Sequence, residues 1–471
     1  MLDNQLLLPT GKLITFNVEQ FEVIQKIREW LKSDKTFFTL AGYAGTGKST
    51  IIKKILDEYH WGVVVSAPTH KAVKVIKNTT NKEGATLQSL LGLRPDVDLE
   101  NFSPNFPQFA PIALPRICNY NLVIVDEVSM LNKALYNLIK ELTINGRTKV
   151  LFVGDEGQLP PVGEVISVVF IDEDIIKYRL TKVERQKSDN PLLSIYDELR
   201  NNFDKIDGGF LNKTSINYLG DGIIFTTNKL EFRKLILEKF KSDEYKKDSD
   251  FVKGLAWKND TVMLSNKTIR DEIFGKNSDI VEVNDILMGY RSVSGENNRY
   301  NIIENSADYH VVEKSKLEEN SYGISGYCVK LREDLLKGEF KFQDVFIIDV
   351  NNHENLHLYA QMHDFFRDMA KSNKKMWVKY YEFRRNNILM KNIDKYENGL
   401  NRNSSDVIKR DIDYGYFLTV HKSQGSTYQH VMVIGKDLDL NWDVEERNKL
   451  RYVAFSRPVK TCTVLTNRID Y

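Results

Sequence analysis

The order of apolar and polar positions divides the chain into alternating helices and strands before any motif is considered. Phe21, Ile24, Ile27 and Trp30 recur at helical spacing and predict an amphipathic helix from Phe16 to about Leu31. Thr36–Leu40 follows as a short apolar run, a buried strand, and Ser49–Tyr59 returns to a helical pattern. Gly62–Ala72 predicts a strand passing through a polar turn into a helix, and Ala85–Leu91 marks another strand-to-helix turn. Two more apolar runs end in polar tips: Leu122–Val125 before Asp126-Glu127, and Val150–Val153 before Gly154-Asp155. Helices alternating with continuous apolar strands predict a parallel sheet covered on both faces.

Arg94–Arg116 breaks this rhythm. It is rich in proline, asparagine and phenylalanine and reads as a hairpin inserted between two strand–helix units. Its Phe102, Phe106 and Phe109 need a partner, either another domain or bases. Further on, Leu255–Asn259 and Thr261–Phe274 predict a strand and helix of a second α/β domain. Short alternating runs between Val281 and Val350 (Val311-Val312, Tyr327-Val329-Leu331, Val345-Ile347) predict a small β-barrel. Two helices follow, one carrying Tyr359, Met362 and Phe366, the other Trp377, Tyr380 and Phe383. Lys371, Lys374, Lys375, Arg384 and Arg385 stud this arm and read as a solvated face. His353-Glu354-Asn355-Leu356-His357 fits H-E-x-x-H, but Ala360 stands where a third ligand would require a glycine turn. A helix continuing through it turns about 600° over six residues, which faces His363 away from His357. The stretch reads as an amphipathic helix.

Composition changes the picture little. A chain of 471 residues predicts two to four domains. Its 66 basic and 65 acidic residues give a net charge of +1, so any polyanion site must be a local groove. Cys118, Cys328 and Cys462 are far apart and odd in number, which predicts a reducing, cytosolic setting without a disulfide frame. Met1–Gln5 has no basic stretch and no apolar run approaches membrane-spanning length, so the expectation is a soluble intracellular protein.

The chemistry begins at Gly42-Tyr43-Ala44-Gly45-Thr46-Gly47-Lys48-Ser49, which fits G-x-x-x-x-G-K-[ST]. Gly42, Gly45 and Gly47 let backbone N–H groups turn toward phosphate oxygens, with Thr46 between them. Lys48 adds a positive charge near the outer phosphates, Ser49 offers a hydroxyl to Mg²⁺, and Thr50 continues into the helix whose positive end faces the anion. Asp126 is the second candidate Mg²⁺ ligand, and Glu127 would orient and deprotonate the attacking water. Gln158, in the polar tip after Val150–Val153, is the candidate sensor of the γ-phosphate. Gln20, upstream of the loop's strand, has an amide able to read an adenine edge. Thr69, His70 and Thr86 sit at strand-to-helix turns along the edge where ligands bind. Capping of the following helices is the other use of the two threonines.

In chain order these stretches resemble superfamily 1 helicases of the RecD-like, 5′-to-3′ branch. Asn17–Gln20 matches the Q motif, Ala67–Ala72 motif Ia, Thr86–Leu91 Ib, Asp126–Met130 II and Gly154–Gly163 III. Leu180–Gln186 matches motif IV, with Arg185 as its phosphate-facing arginine. Thr419–Thr427 matches V, and Leu450–Arg457 matches VI, ending in the arginine finger Arg457. The segment before Phe16 and Glu164 depart from the family pattern without touching the hydrolysis set. The resemblance implies an α/β fold of two RecA-like parallel-sheet P-loop motor domains. Domain 1A would be 1–92 and 117–200, with 93–116 as inserted hairpin 1B. Domain 2A would be 201–279 and 411–471, with 280–410 as inserted domain 2B, a small β-barrel plus helical arm.

ATP and Mg²⁺ are the implied cofactors. Single-stranded DNA and single-strand/duplex junctions are the implied partners, held by Thr69, His70, Lys71, Thr86, Asn259, His421, Lys422, Ser426 and Thr427. The inserted hairpin would split duplex with Phe102, Phe106 or Phe109. Replication or single-strand-binding proteins are candidate partners, no membrane is implied, and the expected state is a monomer. A translocase that strips proteins from DNA is the alternative, and a P-loop switch without nucleic acid is a third.

Overall fold

Six apolar runs line up as one parallel sheet, in the order Gly84–Thr86, Val63–Ala67, Leu122–Val125, Lys149–Gly154, Phe37–Gly42, Ile176–Leu180. The computed structural model describes residues 4–7, 13–59, 61–80, 84–93, 113–144, 146–161, 163–182, 190–296, 300–335, 339–394 and 407–470. Two units divide the chain: Met1–Phe232 with Leu255–Trp257 and Thr419–Tyr471, and Arg233–Gly254 with Lys258–Leu418.

In the first unit, side-chain alternation along each strand feeds two cores. Phe37, Val123, Val125, Val150 and Phe152 pack with Leu135, Tyr136 and Ile139 of helix Lys133–Thr143. Phe38, Leu40, Ile124, Leu151 and Val153 pack with Val23, Ile24, Ile27 and Trp30 of helix Val18–Lys32 and with Ile51, Ile52 and Ile55 of helix Lys48–Glu58. Each such buried side chain contributes about 1.5–3 kcal/mol. The first helix begins at Val18, two residues after the predicted start, because Asn17 is extended and caps it in a capping box with Gln20.

Register sets the working edge of this sheet. Ala41 pairs with Gly154, Gly42 with Leu180, Ala67 with Thr86, and Ser66 with Val125. Parallel strands end at one side, so the loops after Gly42, Ala67, Thr86, Val125 and Gly154 meet there. Phe37–Gly42 lies between the Lys149–Gly154 and Ile176–Leu180 strands, at the switch point where ligands of open α/β sheets bind.

A second sheet holds Gly222–Thr226, Pro458–Leu465 and Tyr428–Val433 in parallel, with Cys462 opposite both Ile223 and Val431. Ser215–Ile216 joins Gly222–Thr226 as an antiparallel hairpin. Val252–Ala256 and Phe417–Thr419 complete its six strands.

In the second unit, Phe340–Ile348, Ser325–Asp334, Asp308–Lys314, Ile286–Gly289 and Ile412–Tyr414 form an antiparallel ladder. The sequence predicts a small barrel here; Ile388-Leu389 bridges the ladder's two outer strands, the Leu389 carbonyl accepting the Asp411 and Ile412 N–H groups at 2.7 and 3.3 Å, and Leu287, Tyr309, Val329, Val345, Ile347 and Ile412 share one core. The outer edge of Phe340–Ile348 is taken by Ile388, which bonds Phe346 and Ile348 at 2.8 and 3.1 Å. Helix His353–Ser372 runs unbroken through Ala360, and Trp377–Arg385 packs against it through Tyr359, Phe366 and Phe383. Buried charges here are paired: Arg384 with Asp411, Arg270 with Asp285 at 3.0 Å, and Lys253 with Asp308 at 3.2 Å. Among the described residues, no helix is long and apolar enough to cross a membrane.

Candidate nucleotide-binding and catalytic site

The phosphate loop joins strand Phe37–Gly42 to helix Lys48–Glu58. Gly45 and Gly47 hold φ +84° and +88°, a region that costs other residues energy. A Cβ on Gly47 would stand 2.4 Å from Gln20 Nε2, so a side chain there would displace the Gln20 amide. Gln20 donates from Nε2 to the Thr46 carbonyl at 3.0 Å, and its Oε1 accepts the Asn17 N–H at 3.1 Å. Both ends of the amide are therefore engaged with the protein here, where the sequence reading sets them against an adenine edge. Lys48 Nζ donates to the carbonyls of Gly42 and Tyr43 at 2.6 and 3.0 Å. Gly47 caps the helix without a side chain, leaving its positive end, with Ser49 and Thr50, beside the loop.

Asp126 and Glu127 follow the Leu122–Val125 strand, and Asp126 N–H extends the ladder to the Ser66 carbonyl at 2.9 Å. Glu127 has φ +55°, a strained backbone for a residue with a side chain, and its N–H donates to Asp126 Oδ1 at 2.9 Å. Asp126 keeps part of its surface open but lies on the dense floor of the site. That burial and the adjacent Glu127 push its carboxyl up to about 7, against the pull of the Glu127 N–H and Lys48. Glu127 Oε2, Gln158 Oε1 and Ser426 Oγ are buried with no hydrogen-bond partner among the described residues. Polar atoms left in this state are costly unless another group binds them. The adjacent carboxylates of Asp126 and Glu127 are hard oxygen donors of the type Mg²⁺ takes.

Two buried residues that the sequence reading left without a role link these parts. Asp155 is fully buried; its Oδ1 accepts the Gly157 N–H at 2.9 Å and its Oδ2 accepts the Tyr452 hydroxyl at 2.8 Å. The Tyr452 oxygen in turn accepts the Ala44 N–H of the phosphate loop at 3.1 Å. Asp155 could have been suspected as a carboxylate in a polar strand tip. Tyr452 has no such signal, because a tyrosine in a helical apolar pattern reads as core. The Arg200 guanidinium, also unpredicted, lies 4.7 Å from the centre of the Tyr43 ring.

Gln424 Nε2 donates to the Leu159 carbonyl at 3.2 Å, and a Cβ on Gly425 would lie 3.5 Å from Glu127 Cγ. Thr419–Thr427 thus closes on the Asp126–Glu127 and Gly154–Gly163 segments. Arg457 is buried, with Nε on the Val453 carbonyl (3.0 Å), Nη1 on the Ser426 carbonyl (3.2 Å) and Nη2 on Ser456 Oγ (2.8 Å). Its donors serve the end of its own helix and the neighbouring turn in this structure. Arg185 lies outside the described residues.

The residues matched to DNA contacts are more dispersed. Thr69 Oγ1 accepts the Ala72 N–H at 3.2 Å, and Thr86 Oγ1 accepts the Ser89 N–H at 3.4 Å, so both cap helices. His70 opens helix His70–Thr80, and Lys71 Nζ donates to the Tyr428 hydroxyl at 3.3 Å. His421 and Lys422 lie in the turn His421–Ser423, where burial holds His421 below the usual histidine range against the pull of Glu446. Thr427 is half-buried. Ser426 departs from a groove position: it is 2% exposed, folded inward by the tight turn at Gly425 (φ +71°). Asn259 is exposed at the start of helix Asn259–Phe274 in the second unit. Phe102, Phe106 and Phe109 lie outside the described residues.

A phosphate loop at the switch point of one parallel sheet, with a second parallel sheet in the same chain, defines a P-loop NTPase with two RecA-like sheets. The AAA domain family matches residues 15–208, and the UvrD-like helicase C-terminal domain matches residues 414–465. Uncharacterized protein R530 of Acanthamoeba polyphaga mimivirus is 27% identical over 94% of this chain and 98% of that protein. The ATP-dependent DNA helicase Dda of Enterobacteria phage T4 is 29% identical over 57% of this chain and 59% of that protein. A Pif1 helicase from Bacteroides, solved with ADP-AlF3 and single-stranded DNA, shares the fold: TM-score 0.51 and 16% identity, covering 96% of this chain and 92% of that one. Over these stretches the chain is similar to AAA-domain proteins and UvrD-like helicases, and it resembles Dda.

Proposed function

We infer that this protein is an ATP-hydrolysing DNA helicase that moves 5′ to 3′ on single-stranded DNA and unwinds duplex. The observation that carries this is the meeting, at one sheet edge, of the Lys48 loop, the Asp126–Glu127 pair and the Gly154–Gly163 tip, with Thr419–Thr427 and the helix ending near Arg457 closing on them. In this reading the loop N–H groups and Lys48 hold the phosphates, and Ser49 and Asp126 hold Mg²⁺, which neutralises phosphate charge. Glu127 orients water, Gln158 meets the γ-phosphate, and Arg185 and Arg457 meet charge developing on it. The unpartnered Glu127 Oε2 and Gln158 Oε1 support those two roles. Lys71, His70, His421, Lys422, Thr427 and Asn259 are proposed to face the nucleic acid.

The four-part division into 1A, 1B, 2A and 2B, the duplex-splitting role of Phe102, Phe106 or Phe109, and a monomeric state in the cytoplasm of a bacterial or phage-infected cell complete the proposal. Unwinding of forked substrates carrying either a 5′ or a 3′ tail tests it. Unwinding confined to the 5′-tailed fork is expected; a 3′ preference, or ATP hydrolysis indifferent to DNA, would overturn it.

A further inference from the structure

Tyr452 stands in the helix Val444–Phe455, five positions before Arg457, and is 1% exposed. Its ring meets Phe203 edge-on, with centroids 5.8 Å apart. Its hydroxyl donates to Asp155 Oδ2 at 2.8 Å, and its oxygen accepts the Ala44 N–H at 3.1 Å. A backbone N–H can only donate, so the phenol oxygen accepts from Ala44 and its own proton points to Asp155 Oδ2. Donation to a carboxylate makes the phenol oxygen a stronger acceptor, so each bond strengthens the other. Asp155 Oδ1 holds the Gly157 N–H at 2.9 Å, one residue before Gln158. Ala44 lies between Gly42 and Lys48 in the phosphate loop.

We propose that Tyr452 is a positioning residue of the ATPase. Its hydroxyl, through Asp155, locks the phosphate loop, the Gln158 tip and the Arg457 helix into one register. The proposal rests on the ATP-hydrolysing reading above. A displacement of the Arg457 helix is then felt at Ala44 and at Gln158 together, without Tyr452 touching nucleotide. Removing the hydroxyl leaves Ala44 N–H and Asp155 Oδ2 buried and unpaired, while the ring keeps its packing.

Steady-state ATP hydrolysis with saturating single-stranded DNA tests this. Tyr452→Phe is expected to lower kcat on the order of 10- to 100-fold, the cost of small misplacement at a reacting centre. The KM for ATP should stay within about threefold, since substrate contacts remain. Asp155→Asn should lower kcat as well, and the double variant should be little worse than either single, because the residues act through one link. If Tyr452→Phe does not fold, Asp155→Asn carries the same kcat-against-KM test. A folded Tyr452→Phe enzyme with wild-type kcat overturns the proposal, as do multiplicative losses in the double variant or a loss seen only in KM. Lys48→Ala separates the two levels: hydrolysis in the wild type no greater than in that variant refutes the ATPase reading itself, whereas an active wild type with an unaffected Tyr452→Phe refutes only the link.

Discussion

Gln20 Nε2 lies 3.0 Å from the Thr46 carbonyl, tying the first helix to the phosphate loop across 26 positions of chain. The same amide closes the capping box on Asn17, so one side chain serves the helix start and the loop. Gln20→Ala is therefore expected to reduce stability by about 1 kcal/mol, as loss of a helix cap does. It should also raise the KM for ATP more than it lowers kcat, because the loop loses its brace. Urea denaturation and steady-state kinetics check this; a variant of unchanged stability and KM would show that the amide braces nothing.

Lys48→Ala should abolish ATP hydrolysis and leave single-strand binding largely intact. Among the described residues the lysine bonds loop carbonyls, those of Gly42 and Tyr43. Fluorescence anisotropy on a labelled oligonucleotide beside an ATPase assay separates the two. Equal loss of both in a folded protein would make Lys48 structural.

Arg457→Ala should reduce kcat by roughly 10³-fold or more while changing ATP affinity far less, as befits a contact that strengthens in the transition state. Arg457 now rests on the carbonyls of Val453 and Ser426, so reaching the γ-phosphate requires it to release them. Parallel falls in affinity and turnover would exclude the finger role.

The second unit should be acid-sensitive through His363. Burial first, then the Arg384 charge, hold it at about 4, and Tyr380 lies 3.0 Å from its Nε2. An unfolded histidine titrates near 6.5. As pH falls below about 6.5 the unfolded chain takes a proton that the folded chain refuses. Stability contributed by the neutral ring is complete above that pH and is lost progressively down to about 4, amounting to about 3 kcal/mol. His363→Gln should flatten this limb of the stability–pH curve. A variant curve as steep as that of the wild type would assign the acid sensitivity to other groups.

The phosphate loop, the strand-end carboxylates and the parallel strand–helix alternation were legible in the sequence. Each is local: Gly42–Ser49 owes its shape to glycines within the loop, and Asp126-Glu127 owes its place to the apolar strand just before it. Helix His353–Ser372 was legible for the same reason, since its periodicity runs through Ala360 without a breaker. What tertiary structure decided is which distant atoms share a proton. Ala44 and Asp155 lie 408 and 297 positions before Tyr452, and nothing in a tyrosine's own neighbourhood records that its hydroxyl will end between a loop N–H and a carboxylate. The inward turn of Ser426 and the hold of the Gln20 amide on Thr46 are likewise matters of three-dimensional packing, whereas the caps made by Thr69 and Thr86 are local, three residues long, and were one of the two uses the sequence allowed. Residue type states which hydrogen bonds a side chain can make; only the folded chain's close packing selects the partner.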